Sequence, residues 1–314
     1  MRYFLILVVF LSTRILFGQS DTSSNSYYDN YILYFDCGNN SSPFDIKVQN
    51  SKGSYDLKFR NNIKPFIGFG GNYKWISLRI GFLLNQYFKG VDDYVKTKIF
   101  KLGTDFTYKR FYFDFDLFQF KGFTLLKDNQ IGINYNLKYA NLHTNSFYLN
   151  EYFFFNKNFS YNSLRGKKQS VKSFQSSFYL KQQNAFTRVK DDNPILPSFF
   201  FDDLYSKTTF SSASSIEIGL IPGYGVADRY KNFQLGGMLG YGCVIIDKSI
   251  FFNSRSRNFL GLSSRFDFHL YAGYNKSKYF IMNYLYLENR VLDFNTIKFT
   301  QQILSYRFIV GYRF

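Results

Sequence analysis

The chain of 314 residues is 22% aromatic, with 41 Phe and 28 Tyr, and its mean hydropathy is -0.23. After its first segment there is no apolar run of about 18 residues. This excludes a helical membrane protein but not a membrane barrel, whose strands carry their apolar residues in alternation. The formal net charge of +17 is of the kind that suits nucleic acid or an anionic lipid surface.

Residues 1–20 have the pattern of a secretory signal peptide. Arg2 provides the positive charge, Tyr3–Leu11 is apolar, and Gly18-Gln19-Ser20 gives the small-x-small spacing of a cleavage site. A membrane anchor is disfavoured, because the apolar run is too short to cross about 30 Å of hydrocarbon and Arg14 interrupts its continuation. We therefore expect export, and an exported protein meets no nucleic acid routinely.

Residues 21–42 are mostly polar apart from Tyr31–Phe35, and we expect a periplasmic leader there. Residues 43–314 are expected to form one membrane barrel. Cys37 and Cys243 are the only cysteines, one in the leader and one on the apolar side of a predicted strand. We expect no disulfide between them.

The barrel region reads as amphipathic strands separated by turns. Apolar and polar residues alternate through each of them, which places one kind on each face of a sheet. The predicted strands are 67–73, 76–82, 100–108, 111–117, 130–141, 146–156, 158–165, 172–182, 214–226, 232–247, 258–274, 279–288 and 299–314. The alternation of short and long connections fails near residues 156–158, so the count is uncertain by two. We predict an all-β fold, a single antiparallel transmembrane barrel of about twelve strands (10–14).

The connections predict the orientation of this barrel. Short ones, near Lys74, Lys109-Arg110, 228–231 and 275–278, fit periplasmic turns, and the long ones fit external loops. The long connections are 85–96, 121–129, 183–212, 248–257 and 288–295. The connection 183–212 is long enough to plug or cap the lumen, or equally to form a disordered external loop.

The chain finishes on a strand with one aromatic face. Counting back from Phe314 by twos gives Tyr312, Val310, Phe308 and Tyr306, against a mostly polar opposite face. Such an ending resembles the assembly signal of bacterial outer-membrane barrels, with Tyr312 and Phe314 as its key residues. The alternatives are an edge strand of a soluble sheet, or a secreted sandwich or lipocalin-like barrel with its aromatic residues inside.

Charged residues fall on the face opposite the aromatic one. Because charges buried beside aromatic rings need water or partners, we predict a network of salt bridges that fills a narrow lumen. Its expected members are Arg79, Lys101, Asp105, Asp114, Asp116, Glu217, Arg265, Asp267, His269, Arg307 and Arg313.

Two subsets of this network could instead have a catalytic or binding role. The three aspartates of residues 105–116 could act as paired carboxylates in acid–base chemistry or cation binding. Asp267 and His269 share a face and could be part of a hydrolase site, although such a site also needs a converging nucleophile. We expect no catalytic, cofactor or metal site.

Several stretches resemble a Bacteroidota family of outer-membrane proteins, the domain of unknown function 4421. They are KPFIGFGGNYKWISLRIGF, YFFFNKNFSYNSL, KSFQSSFYL, SSIEIGLIPGYGVADRYKNFQLGGMLGYG and GLSSRFDFHLYAGYNKSKYFIMNYLYL. Their order along the chain extends the resemblance over residues 51–314. The resemblance implies a barrel in the outer membrane and brings no activity.

Three functions remain open at this point. The first is a structural or interaction barrel with a charge-filled lumen, the second is a passive pore or transporter for small solutes, and the third is a membrane-embedded enzyme acting on lipid or lipopolysaccharide. We favour the first, and so expect a protein that is not an enzyme. The expected location is the cell outer membrane. The expected partners are its lipid and lipopolysaccharide, and the barrel-assembly machinery through the C-terminal strand.

Overall fold

The structure, a computed structural model, describes residues 31–50, 53–62, 65–83, 93–128, 133, 135–166, 174–196, 210–252, 255–294 and 297–314. It contains fourteen β-strands in these ranges and one short helix, α1 (Tyr161–Leu164). The strands are β1 (Tyr31–Ser41), β2 (Phe44–Asn50), β3 (Gly53–Arg60), β4 (Pro65–Tyr73), β5 (Ile76–Leu83), β6 (Lys98–Tyr108), β7 (Phe111–Leu125), β8 (Leu137–Phe154), β9 (Gln175–Lys190), β10 (Phe210–Tyr230), β11 (Phe233–Phe252), β12 (Arg255–Asn275), β13 (Tyr279–Asp293) and β14 (Ile297–Arg313).

Twelve of the strands form a closed antiparallel ring. Strand β1 pairs with β4, each strand from β4 to β14 pairs with the next, and β14 returns to pair with β1. The first and last strands meet along most of their length, with Ile32 opposite Arg313 and Ser41 opposite Leu304. The predicted all-β fold with a barrel of about twelve strands is thus confirmed.

The hairpin of β2 and β3 completes the wall on one side. Strands β4 and β5 have 9 and 8 residues, whereas β10 and β12 have 21 each. Beyond the ends of these short strands, β2 pairs with β14, with Val48 opposite Ile297. Strand β3 pairs with β7, with Phe59 opposite Leu125. At this level the ring therefore runs through the hairpin instead of through β1 and β4–β6.

We call the barrel end that holds Tyr31 and Phe314 the terminal end, and the opposite one the distal end. Four tight turns lie at the terminal end, and lysines in three of them have positive φ angles (50° at Lys74, 54° at Lys109 and 55° at Lys231). A left-handed backbone costs a non-glycine residue about 1–2 kcal/mol. The hydrogen-bonded strands on either side hold these turns in place.

Some predicted segments differ from the structure. Residues 31–41 of the expected leader form β1, because they pair on both sides, with β14 and with β4. The predicted strands 130–141 and 146–156 correspond to one strand, β8, for residues 137–154. Residues 158–165 are no strand. They fold into the lumen and include α1.

Most of the predicted long connections are shorter than expected. Strand β9 extends to Lys190, and residues 248–252, 255–257 and 289–293 belong to strands of extended hairpins. Backbone pairing continues there because the interior remains filled at that height. The signal-peptide prediction, residues 21–30 of the leader and residues 197–209 of the 183–212 connection lie outside the described residues.

The two faces of the wall differ in polarity. Large apolar side chains such as Leu33, Phe69, Leu78 and Leu239 are exposed on the outside. Charged side chains such as Arg265 and Lys181 are fully buried inside. No helix among the described residues is long and apolar enough to cross a membrane. Cys37 and Cys243 are free thiols.

Candidate functional site: the interior of the barrel

The interior is divided into three layers along the barrel axis. At the distal end lies an apolar layer, the distal cluster, which contains buried side chains from the hairpin β2–β3 and from the long strands. Its members are Phe44, Ile46, Val48, Leu57, Phe59, Ile99, Phe120, Phe123, Leu125, Ile133, Leu142, Val189, Ile195, Leu196, Ala213, Val244, Ile246, Ile250, Leu292, Phe294, Ile297 and Phe299. Phe44 stacks on Phe59 at 4.7 Å and meets Phe123 edge-on at 5.1 Å. This packing closes the distal end.

The middle layer holds the predicted charged residues. Strands β5 to β7 contribute one group, in which Arg79 pairs with Asp116 at 2.5 Å. Asp105 accepts a hydrogen bond from the Ser77 hydroxyl at 3.0 Å and pairs with Arg165 at 3.2 Å. Burial leaves these charges little water, so each depends on its partner.

A second group lies on the wall formed by β9 to β13. Lys181 Nζ and His269 Nε2 each lie 3.2 Å from the Asp267 carboxylate. His269 Nδ1 lies 3.0 Å from the Tyr271 hydroxyl. The geometry is that of a buried polar network in which each member of the Asp267–His269 pair has a further protein partner.

Three further pairs complete this layer. Arg265 pairs with Glu217, and Arg290 pairs with Glu288 at 2.5 Å. On the opposite wall, Arg307 pairs with Asp36. Arg313 lies lower, near the terminal end, where it donates to backbone carbonyls and to the Asn275 side chain at 2.7 Å.

Lys101 and Asp114 lie outside the ion pairs of this layer. Lys101 is only 5% exposed, and its ammonium group lies 4.2 Å from the centre of the Phe118 ring. Asp114 faces the interior next to Asp105 and Asn150, its cross-strand neighbours. No ion pair to either Lys101 or Asp114 is found within the described ranges. Lys101 and Asp114 are therefore one positive and one negative side chain of the network that lie outside its ion pairs.

The third layer closes the terminal end and is formed by residues 159–166, which we call the inner segment. The Tyr161 ring packs against the Tyr112 ring in a tilted arrangement with the ring centres 4.1 Å apart, and Asn162 donates a hydrogen bond of 2.6 Å to the Thr107 hydroxyl. Arg165 donates to both the Asp105 carboxylate and the Tyr112 hydroxyl. Burial raises the pKa of the Tyr161 hydroxyl, so this phenol stays neutral.

Glycines in the wall make room for the inner segment. A Cβ atom on Gly236 would overlap Leu164, and one on Gly225 would lie 2.8 Å from the Phe159 ring. The helix ends at Leu164, and Gly166 two residues later has a φ angle of 69°, which is of the kind that commonly follows the end of a helix. The Gly166 carbonyl accepts a hydrogen bond from Arg313. Small residues in β10 and β11 thus position the segment inside the ring.

A cavity of about 100 Å³ lies between the closing layers. Lys101, Asp114 and Asn150 line it together with tyrosines of β8 and β13, and Tyr161 and Arg165 of the inner segment form part of its wall. Because one water molecule needs about 10–15 Å³ by this measure, the cavity holds several waters or one small ligand.

Sequence reasoning missed three features of this interior. The partners Asp36, Arg165, Lys181, Glu288 and Arg290 were not among the predicted residues, although all of them are buried. The inner segment was interpreted as a strand. The distal cluster was missed as well, yet the run Cys243–Ile246 is apolar on both faces, and this loss of alternation is typical of a wall that is apolar on both sides.

The fold and its interior define a twelve-stranded antiparallel barrel whose lumen, over the described residues, holds the distal cluster, the charged layer and the inner segment. The model of one family, described as a domain of unknown function (DUF4421), matches residues 20–314. The chain therefore belongs to this family.

Several solved barrels are similar in structure. The outer membrane protease OmpT from Escherichia coli has 12% identity and a TM-score of 0.42, over 94% of this chain and 100% of that one. The translocator domain of autotransporter NalP from Neisseria meningitidis has 10% identity and a TM-score of 0.47, over 94% and 90%. The toluene transporter TodX from P. putida has 8% identity and a TM-score of 0.33, over 93% and 91%. No curated protein sequence matches the chain.

Proposed function

We propose that the protein is an integral outer-membrane barrel that does not conduct solutes and that serves as a structural or interaction barrel. The observation that carries this proposal is the closure of the lumen at both ends. The distal cluster fills one end with apolar side chains, and the inner segment fills the other. An aqueous pathway would have to displace one of these layers entirely.

The outer face of the barrel supports the membrane location. Apolar side chains at alternate positions, such as Leu235, Leu239 and Tyr241 on β11, are more than half exposed. A soluble protein rarely exposes so continuous an apolar surface. Aromatic residues at the terminal end, including Trp75, Tyr230 and Phe233, match the girdle of a barrel at a membrane interface.

Export and assembly complete the proposal. The signal-peptide pattern of residues 1–20 supports secretion to the periplasm. Tyr312 and Phe314 lie on the outer face at the terminal end, with rings 5.0 Å apart, where assembly machinery can reach them. The basic net charge of the chain fits contact with anionic lipopolysaccharide.

Two measurements test the proposal. Unheated protein from an outer-membrane fraction is expected to migrate differently from heated protein on a gel, because a closed barrel resists the detergent until it is heated. The same protein reconstituted in planar bilayers is expected to show no channel steps. Recovery as a soluble periplasmic protein would contradict the membrane location, and regular channel steps would contradict the closed lumen.

A further inference from the structure

Lys101 and Asp114, which lie outside the ion pairs of the lumen, line the same cavity. Arg79 is paired with Asp116, Arg165 with Asp105, Arg307 with Asp36 and Arg290 with Glu288. Lys101 and Asp114 are the charged residues lining the cavity that, among the described residues, form no ion pair. A charge removed from water without an ion-pair partner is costly, so the buried Lys101 and the partly buried Asp114 each favour a counter-charge or ordered water.

Lys101 and Asp114 lie at different heights along the wall. Lys101 is paired in register with Phe118, which is four residues from Asp114 along β7. At about 3.3 Å per residue, the two backbone positions are about 13 Å apart along the wall. The Arg79–Asp116 pair lies between them, since Gly103 is opposite both Arg79 and Asp116. The cavity wall thus has a positive end and a negative end.

The negative end has a second unsatisfied group. Asn150 is the direct cross-strand neighbour of Asp114, and its side-chain oxygen is buried without a hydrogen-bond partner in the part of the chain that the structure describes. A carboxylate and an amide oxygen that line the same cavity both accept hydrogen bonds. This combination favours an ammonium group, which offers three donors and no acceptor.

We propose that the cavity binds a small zwitterion of about dipeptide length, with its ammonium group at Asp114 and Asn150 and its carboxylate at Lys101. This proposal rests on the closed lumen described above. The backbone positions of Lys101 and Asp114 are farther apart than the two charged groups of a single α-amino acid, and the paired Arg79 and Asp116 between them can meet the polar peptide group. The inner segment lines the cavity, so exchange of the ligand requires movement of this segment.

The test compares three probes on folded protein in detergent, after overnight incubation. The probes are the dipeptide Ala-Ala, its N-acetyl derivative and its C-terminal amide, with binding measured by calorimetry. We expect Ala-Ala to bind at least about tenfold more tightly than either blocked form, because each block removes one charge-assisted contact. Absence of Ala-Ala binding, or equal binding of the three probes, would overturn the proposal.

Variants locate the site in the cavity. Lys101→Met is expected to weaken Ala-Ala binding at least about tenfold and to abolish the preference over the amide, and Asp114→Asn to abolish the preference over the N-acetyl form. Matched controls are Lys47→Met and Asp56→Asn, which change exposed charges on the β2–β3 hairpin. Unchanged discrimination in both cavity variants would contradict the assignment. Heat-modifiable mobility shows which variants are folded.

The bilayer recordings separate this proposal from the closed-lumen proposal. If the protein shows no channel steps and binds the three probes equally, only the zwitterion site is contradicted. If the protein conducts but still distinguishes the probes, the closed lumen is contradicted and the zwitterion site is supported.

Discussion

Buried ion pairs in the lumen are more important for keeping charges satisfied than for net stability. Lys181 and Asp267 are both about 1% exposed and lie 3.2 Å apart. Removal of water from two charges cancels much of their attraction, whereas loss of one partner leaves an uncompensated buried charge. The pair therefore fixes how the strands face each other, and its single variants should be far more damaging than its double variant.

We expect Lys181→Met to lower the free energy of unfolding by about 3–5 kcal/mol, and Asp267→Leu by a similar amount. The double variant should recover most of the loss, because an apolar pair of similar volume replaces the two charges. The measurement is urea unfolding in micelles, followed by the fluorescence of Trp75, the only tryptophan.

The control is a pair of the same type at the surface. Arg60 and Asp45 lie 2.5 Å apart but are 29% and 37% exposed. Variants Arg60→Met and Asp45→Leu should cost no more than about 1 kcal/mol each, since water solvates the remaining charge. Equal losses at the two pairs would show that burial does not determine the effect.

Pairing partners of this kind could be predicted only in part. Alternation along β6 and β7 indicated that Lys101, Asp105, Asp114 and Asp116 share a face, because a strand fixes which side each residue occupies. It did not indicate that Arg165 reaches Asp105, since their contact depends on a connection between other strands folding inward. Local periodicity contains no information about such long-range contacts.

At the scale of elements, the inner segment is a connection that behaves as part of the interior. Alternation in polarity predicts a strand over residues 158–165, but no strand among the described residues pairs with them. Of the thirteen predicted segments, two correspond to β8 and this one is no strand, so that with β1, which was not predicted, the ring has the expected twelve strands. The hairpin strands β2 and β3 are not among the predicted segments. The side chains of the inner segment contact Asp105, Thr107 and Tyr112, and these contacts take the place of strand pairing.

Arg165→Ala should release the inner segment from the wall. It removes the donor to Asp105 and Tyr112, so that Asp105 keeps the hydrogen bond from Ser77 but loses its ion pair with Arg165. We expect the segment to become susceptible to added protease in detergent, at least about tenfold faster than in the unmodified protein, since cleavage follows the population of the opened segment.

Lys157→Ala is the matched control, because Lys157 is exposed just before the inner segment. It should leave the cleavage rate unchanged. If Arg165→Ala does not accelerate cleavage while the barrel remains heat-modifiable, the ion pair does not hold the segment.

At the scale of the whole molecule, the barrel is arranged inside out compared with a soluble protein. Charges fill its middle layer, and leucine and aromatic side chains cover its wall. Leu239 lies six residues above the turn that precedes Phe233, which at about 3.3 Å per residue and a tilt of about 40° is about 15 Å from the terminal end. Leu260 is paired with Asp247 on β11, at about 35 Å by the same arithmetic. An apolar band about 25 Å tall would include the first leucine and exclude the second.

The different heights of Leu239 and Leu260 allow a test that distinguishes a membrane-embedded barrel from a soluble one. Leu239 is 51% exposed and Leu260 is 79% exposed. In water, arginine at either position should change the free energy of unfolding by no more than about 0.5 kcal/mol. In a bilayer, Leu239→Arg should cost about 2–4 kcal/mol, and Leu260→Arg no more than about 1 kcal/mol.

The measurement is unfolding in lipid vesicles, with both arginine variants compared under identical conditions. Leu260 is the more exposed of the two in the isolated chain. A larger loss in the free energy of unfolding at Leu239 than at Leu260 therefore fits only an environment whose polarity changes with height along the wall. Equal small losses would mean that water surrounds both leucines, and then the apolar exterior would need a protein partner instead of lipid to cover it.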